Sequence, residues 1–233
     1  MRPFTLGVTT LMQGLYALLW VIVLFDVASP TFNLDGIPQW TGIQVFVALI
    51  VFFTAAVALG VVMHTISKGL LHPVKLRWIL EVLSSESVKK RMAALGTTVT
   101  FPGGPSYAEV TDAENPHRTY AAAAFMYAAA YTVMSRAYNV YRTIDVYRDQ
   151  YRLARGFILP SAAFAIVLPL WEPVKALDSA GAIGPFPIIR TQLFLLAILA
   201  AAVSYVAFRE RSYRYAAATI LAFATLEGER KGE

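Results

Sequence analysis

Arginine and tyrosine recur side by side along this chain, as Tyr141-Arg142, Tyr147-Arg148, Tyr151-Arg152 and Tyr213-Arg214. Guanidinium forks hold phosphate and carboxylate groups bidentately, and tyrosine rings suit the rim of such a site. Arg148, Arg152 and Arg155 fall at i, i+4 and i+7, which is one helix face, next to a hydrophobic run. With Arg142, Tyr151 and Arg214 they form a candidate contact for anionic lipid headgroups or a phosphorylated ligand. Asp145 stands three residues from both Arg142 and Arg148, and Asp149 three from Arg152, so ordinary helix pairing competes for these charges. Arginine and tyrosine are also the residues that anchor a helix at the membrane surface, and this anchoring role is the preferred reading.

Other chemistry is thinly represented. His64, His72 and His117 are too scattered for a metal or haem site, and no HExxH or carboxylate cluster accompanies them. The chain has no cysteine, which removes thiolate ligands, disulfides and cysteine nucleophiles. Phe101-Pro102-Gly103-Gly104-Pro105 is glycine-rich but lacks the lysine and helix of a phosphate loop, so it reads as a turn. No serine-nucleophile motif is present, and no acidic residue lies mid-span to mark an ion path. No catalytic residue, metal or cofactor is expected.

The elements that carry these residues are mostly hydrophobic. Of 233 residues 57% are hydrophobic and 15% charged, with a mean hydropathy of +0.54. Soluble domains carry roughly 25% charged residues, so the chain reads as an integral membrane protein. Its +5 charge lies beside hydrophobic spans, which suits a membrane surface and gives no reason to expect nucleic acid.

Four transmembrane helices are expected, at Leu6 to Phe25, Ile43 to Ile66, Gly156 to Trp171 and Thr191 to Phe208. A cleaved signal peptide is the rival reading of the first, with Val27-Ala28-Ser29 as a small-residue cut site. Ala56-xxx-Gly60 in the second span and Ala197-xxx-Ala201 in the fourth would allow close helix contact. The loop at 26–41 has no Lys or Arg and the loop at 171–189 has only Lys175, whereas twelve of the twenty Lys and Arg lie between Ser67 and Arg155. Positive residues stay inside, so the expected placement is a cell inner (plasma) membrane with both termini cytoplasmic.

The domains then read as 1–66 (spans 1 and 2), 67–155 (a cytoplasmic insert), 156–211 (spans 3 and 4) and 212–233 (a helical tail). The fold class is an all-α membrane protein whose insert holds a short helix from Ser85, a β-hairpin at TTVTF-PGGPS-YAEVT, and a long helix starting at Asn115-Pro116. Thr119 to Ser135 is uncharged, yet a fifth span there would place five arginines outside, so it is read as a cytoplasmic helix. Tyr120, Tyr127, Tyr131, Tyr138 and Tyr141 fall on one face of that helix, which reads as a packing face.

Membrane lipids and either further copies of the chain or other membrane subunits are the expected partners. The leading functional expectation is a non-enzymatic subunit acting by self-assembly or within a larger complex. A gated pore and a membrane enzyme or transporter for a lipid or phosphorylated substrate are the alternatives.

Overall fold

The computed structural model describes residues 3–28, 41–95, 104–170 and 186–232, with side chains described at 7–23, 41–95, 104–169 and 191–230. Among them are seven α-helices: α1 (Pro3–Ala28), α2 (Gly42–Leu83), α3 (Glu86–Ala94), α4 (Tyr107–Thr111), α5 (Arg118–Arg136), α6 (Tyr138–Leu170) and α7 (Phe186–Gly232). The chain divides into two compact units, Met1–Gly69 with Arg152–Val206, and Leu70–Tyr151 with Ala207–Glu233. Helices α2, α6 and α7 each contribute residues to both.

Three helices are long and apolar enough to cross a membrane, within Gly42–Leu83, Tyr138–Pro169 and Thr191–Arg230. This corrects the expected four. The apolar segment described in α1, Gly7–Val23, is not among the three. Its interior also carries Gln13 and Gly14, both buried, which adapt it to lie against other helices. Helix α5 is not among the three spans.

In the first unit α1 approaches α2 backbone to backbone. A Cβ on Gly14 would fall on the Ala56 carbonyl, and one on Gly60 would fall on the Thr10 carbonyl. Ala56 is fully buried at the same crossing. Against α6, the Tyr16 hydroxyl shares a 2.6 Å hydrogen bond with Ser161 Oγ, and the Trp20 and Phe164 rings lie 4.4 Å apart. Leu168 and Ala197 complete that cluster, with Ala200 beside it and Ala201 only half-buried. Half of the most apolar stretch of α6 is buried, against 11% in α2 and α7, so α6 is the central helix of this unit and the other two keep wide apolar faces outward.

The second unit has a separate core. Leu76, Trp78, Ile79, Val82 and Leu83 of α2 supply one side, with Val88 and Met92 of α3, Val110 of α4 and Ile220 and Phe223 of α7. From α5 come Ala122, Phe125, Met126, Ala129 and Val133, a set at i, i+3, i+4, i+7 and i+11 that defines one helical face.

The expected β-hairpin is replaced by a helix on its second half. The first half, Thr97 to Phe101, lies outside the described residues, but Tyr107–Thr111 is α4, and no strand occurs among the described residues. The cause is local. Ser106 Oγ accepts from the Glu109 backbone N–H at 3.2 Å and donates to the Glu109 carboxylate at 3.0 Å, a Ser-x-x-Glu start that satisfies orphan donors and overrides the β preference of Tyr, Val and Thr. The expected start at Asn115-Pro116 is two residues too early: α5 starts at Arg118 with His117 at its N-cap, and Asn115 Oδ1 accepts from His117 N–H at 2.9 Å in the preceding turn. Ser85 stands before α3 as expected, although its hydroxyl donates back to the Val82 carbonyl at 2.7 Å and makes no cap bond to α3.

The long helix expected to run into the third span is two helices. Ala137, at φ −135° and ψ 62°, separates α5 from α6. Its N–H still bonds the Val133 carbonyl at 2.8 Å and its carbonyl still accepts from Tyr141 N–H at 3.0 Å, so the break forfeits little backbone bonding.

Tyr107 ties α4 to the end of α2 by donating to the Leu83 carbonyl at 2.6 Å. That carbonyl is one of the unpaired acceptors of a helix C-terminus. Burial pushes the Tyr107 hydroxyl up to about 12 from its ordinary 10. A raised folded value means that the stabilisation is complete below pH of about 10 and is lost as pH climbs through about 12. In alkaline unfolding titrations, Tyr107→Phe should lower stability at neutral pH and flatten the fall between pH of about 10 and 12. An unchanged alkaline slope would refute this role.

Candidate functional site

A tyrosine and cation cluster in the second unit is drawn from α2, α6 and α7. Lys75 Nζ donates to the Tyr151 hydroxyl at 2.7 Å, and the ammonium lies 4.3 Å from the Tyr151 ring centre and 5.9 Å from that of Tyr215. The Tyr151 and Tyr215 rings are 5.8 Å apart, and Phe208 packs on both Tyr151 and Trp78. Nearly one turn earlier on α6, Arg148 donates to the Tyr141 hydroxyl and to Asp145 Oδ2, each at 2.7 Å. Tyr141, Tyr151 and Tyr215 are all buried.

The electrostatics favour a fixed arrangement. Burial raises Tyr215, and the neighbouring Tyr151 and Tyr141 raise it further, so its hydroxyl stays neutral. Tyr141 is raised by burial too, against the pull of Arg148. Burial works against the Arg148 charge, but Asp145 and the tyrosines around it more than offset this and the guanidinium is held above its ordinary value. Charges paired and desolvated in this way specify a shape, as a buried hydrogen-bonded network does.

The residues singled out by the sequence therefore divide. Arg148 turns inward onto Asp145 and Tyr141, and Tyr151 is buried beside Lys75. Arg142 is exposed, and Arg214 is exposed and paired with Glu210 one turn earlier. Arg152 and Arg155 belong to the first unit, where Arg155 is 6% exposed and the Arg152 carbonyl accepts from Gln13 Nε2 at 2.6 Å. The single face of Arg148, Arg152 and Arg155 is thus spread over the two units.

Lys75 and Tyr215 were not among the expected site residues. A signal existed for Lys75, which stands three and four residues before Trp78 and Ile79, on the buried side of its helix. Nothing local marks Tyr215.

The tyrosine stripe divides as well. Tyr141 is buried, whereas Tyr120, Tyr127, Tyr131 and Tyr138 are 72%, 76%, 59% and 53% exposed, so the packing face of α5 within the chain is its alanine, phenylalanine and methionine side. Among the described residues no three His, Asp or Glu side chains gather as a metal site. An apolar groove of about 750 Å³ runs along α1 and α2, lined by Leu18, Ile22, Val47 and Val51 among others.

No family model, curated protein or solved structure matches this chain.

Proposed function

We propose that the protein is a non-enzymatic membrane subunit that assembles with further copies of itself through the outer face of α5. One observation carries this reading. From Thr119 to Ser135 the helix has no charged residue at all, and its outward positions include Tyr120, Ala124, Tyr127 and Tyr131. A helix that faces only water is ordinarily charged on that side. Tyrosine offers large, stiff, amphipathic area at small entropic cost, which is why it concentrates at protein interfaces. Homo-oligomers with closed symmetry are the commonest assemblies, which favours a second copy as the occupant.

The arginines support this reading in a second way, because Arg148, the centre of the candidate phosphate face, is already engaged by Asp145 and Tyr141. The cation-rich segments between the apolar runs of α2 and α6 take the cytoplasmic side in this proposal. With three spans, the start of α2 and the C-terminal end of α7 lie on opposite sides.

The absence of native cysteine makes a direct test available. In membranes, a bis-maleimide should link Tyr127→Cys chains into dimers or larger species, while Lys90→Cys on the exposed side of α3 stays monomeric. Equal behaviour of the two variants would overturn the reading.

A further inference from the structure

Four basic side chains gather in the first unit at the end of the α2 apolar run. His64 and Lys68 are four residues apart on α2, and Arg152 and Arg155 three apart on α6, so each pair shares a helix face. Every charge that acts appreciably on His64 is positive, and the three are Arg155, Arg152 and Lys68. The described side chains of this unit include no Asp or Glu, and Asp149, three residues before Arg152 on α6, is the nearest carboxylate to Arg152 in sequence.

The group is built into the fold. Arg155 is 6% exposed, and Ser67, between His64 and Lys68, is fully buried with its hydroxyl on the His64 carbonyl at 3.2 Å. Gln13 is fully buried and donates to the Arg152 carbonyl, which fixes α1 against α6 at this level. His64 Nδ1 is out of water and has no hydrogen-bond partner. Lys68 is exposed and Arg152 partly buried, so the group reaches the surface through Lys68.

We propose that His64, Lys68, Arg152 and Arg155 form a binding site for a phosphate ester, of the kind carried by an anionic phospholipid headgroup. The depth fits, because Lys68 and Arg152 stand where the apolar runs of α2 and α6 stop, and basic residues at that level attract anionic lipid. The chemistry fits as well. Guanidinium groups grip phosphate oxygens in forks, an ammonium adds a point charge, and a phosphate oxygen would give His64 Nδ1 the partner that the protein leaves out. The same phosphate could belong to a lipid or to a soluble ester. This site is independent of α5, so its failure would leave the assembly reading untouched.

The test compares the full chain with Lys68→Gln/Arg152→Gln, both reconstituted in bilayers of phosphatidylglycerol and phosphatidylcholine, extracted in a neutral detergent and weighed by native mass spectrometry. The full chain should retain phosphatidylglycerol in preference to phosphatidylcholine, and the double variant should lose that preference by about tenfold or more. Arg142→Gln/Arg214→Gln, which removes two exposed charges elsewhere, should leave it intact. A second arm adds glycerol phosphate to delipidated protein and follows thermal unfolding. Stabilisation that is lost in the double variant would identify a soluble ester as the source, and its absence beside retained phosphatidylglycerol would identify the lipid. Preference for neither phosphate, or equal retention by both charge variants, overturns the proposal. If the double variant does not fold, Lys68→Gln alone, at an exposed position, decides by the same criterion.

Discussion

Valine at Gly14 or Gly60 should prevent α1 and α2 from packing, and the protein should lose about 3 kcal/mol or more of stability, against a more ordinary range of about 1–3 kcal/mol for overpacking. The reason is what the new side chain meets. At Gly14 a Cβ would fall on the Ala56 carbonyl and lie 2.9 Å from the Gly60 amide nitrogen, and at Gly60 it would fall on the Thr10 carbonyl. These are backbone atoms of the opposing helix, so no rotamer change can clear them and the helices must move apart. Parting them gives up the close dispersion contacts that hold small-residue helix crossings together in lipid. Gly7 and Gly69, where a Cβ would have nothing within 4 Å, are the controls. Alanine there should be neutral or stabilising by about 0.5–1 kcal/mol, because glycine is the poorer helix former. Unfolding followed by helical circular dichroism in a mild detergent measures all four variants. Equal melting of Gly14→Val and Gly7→Ala would contradict the crossing.

The second large effect concerns assembly. Tyr127→Glu/Tyr131→Glu should weaken association between copies by about a hundredfold or more, since each tyrosine at the centre of an interface is typically worth about 2 kcal/mol and a buried unpaired carboxylate adds a further penalty. The folded chain itself should hardly notice. Tyr127 is 76% exposed and Tyr131 59%, while the opposite face of α5, with Phe125 and Val133 fully buried, supplies the packing within the second unit. Surface substitutions away from such contacts usually fall within about 0.5 kcal/mol. Dissociation with an unchanged melting curve is therefore the expected signature. A parallel loss of folding would make the stripe a structural face after all.

The membrane class was legible because it depends on composition and on long uncharged runs, and α2 and α7 contain such runs at 43–63 and 191–208. The first apolar run is not among the three candidate spans, and two of its residues have partners inside the protein. Counting hydrophobic residues ignores what Gln13 and Gly14 are for, which is contact with Arg152 of α6 and with Ala56 and Gly60 of α2. The hairpin failed where propensity met a specific hydrogen bond, since Ser106 and Glu109 start a helix within a β-rich stretch. At Ala137 the chain leaves the helix with neither Pro nor Gly to announce it.

The tyrosine stripe shows a different limit. Periodicity establishes that residues share a face, but α5 has two periodic faces, tyrosine on one and Ala122, Phe125, Met126, Ala129 and Val133 on the other. Only the tertiary contacts reveal which one the chain covers. The candidate site was half visible in the same sense. Asp145 beside Arg148 could be read from spacing, whereas Lys75 and Tyr215 reach Tyr151 from positions 76 and 64 residues away in sequence.

Self-assembly has one decisive measurement, the protein mass of the particle extracted in mild detergent, obtained by light scattering with the detergent contribution subtracted. An integral multiple of 25.6 kDa, falling to 25.6 kDa in Tyr127→Glu/Tyr131→Glu, is the predicted result. A native particle of 25.6 kDa at every concentration would contradict it.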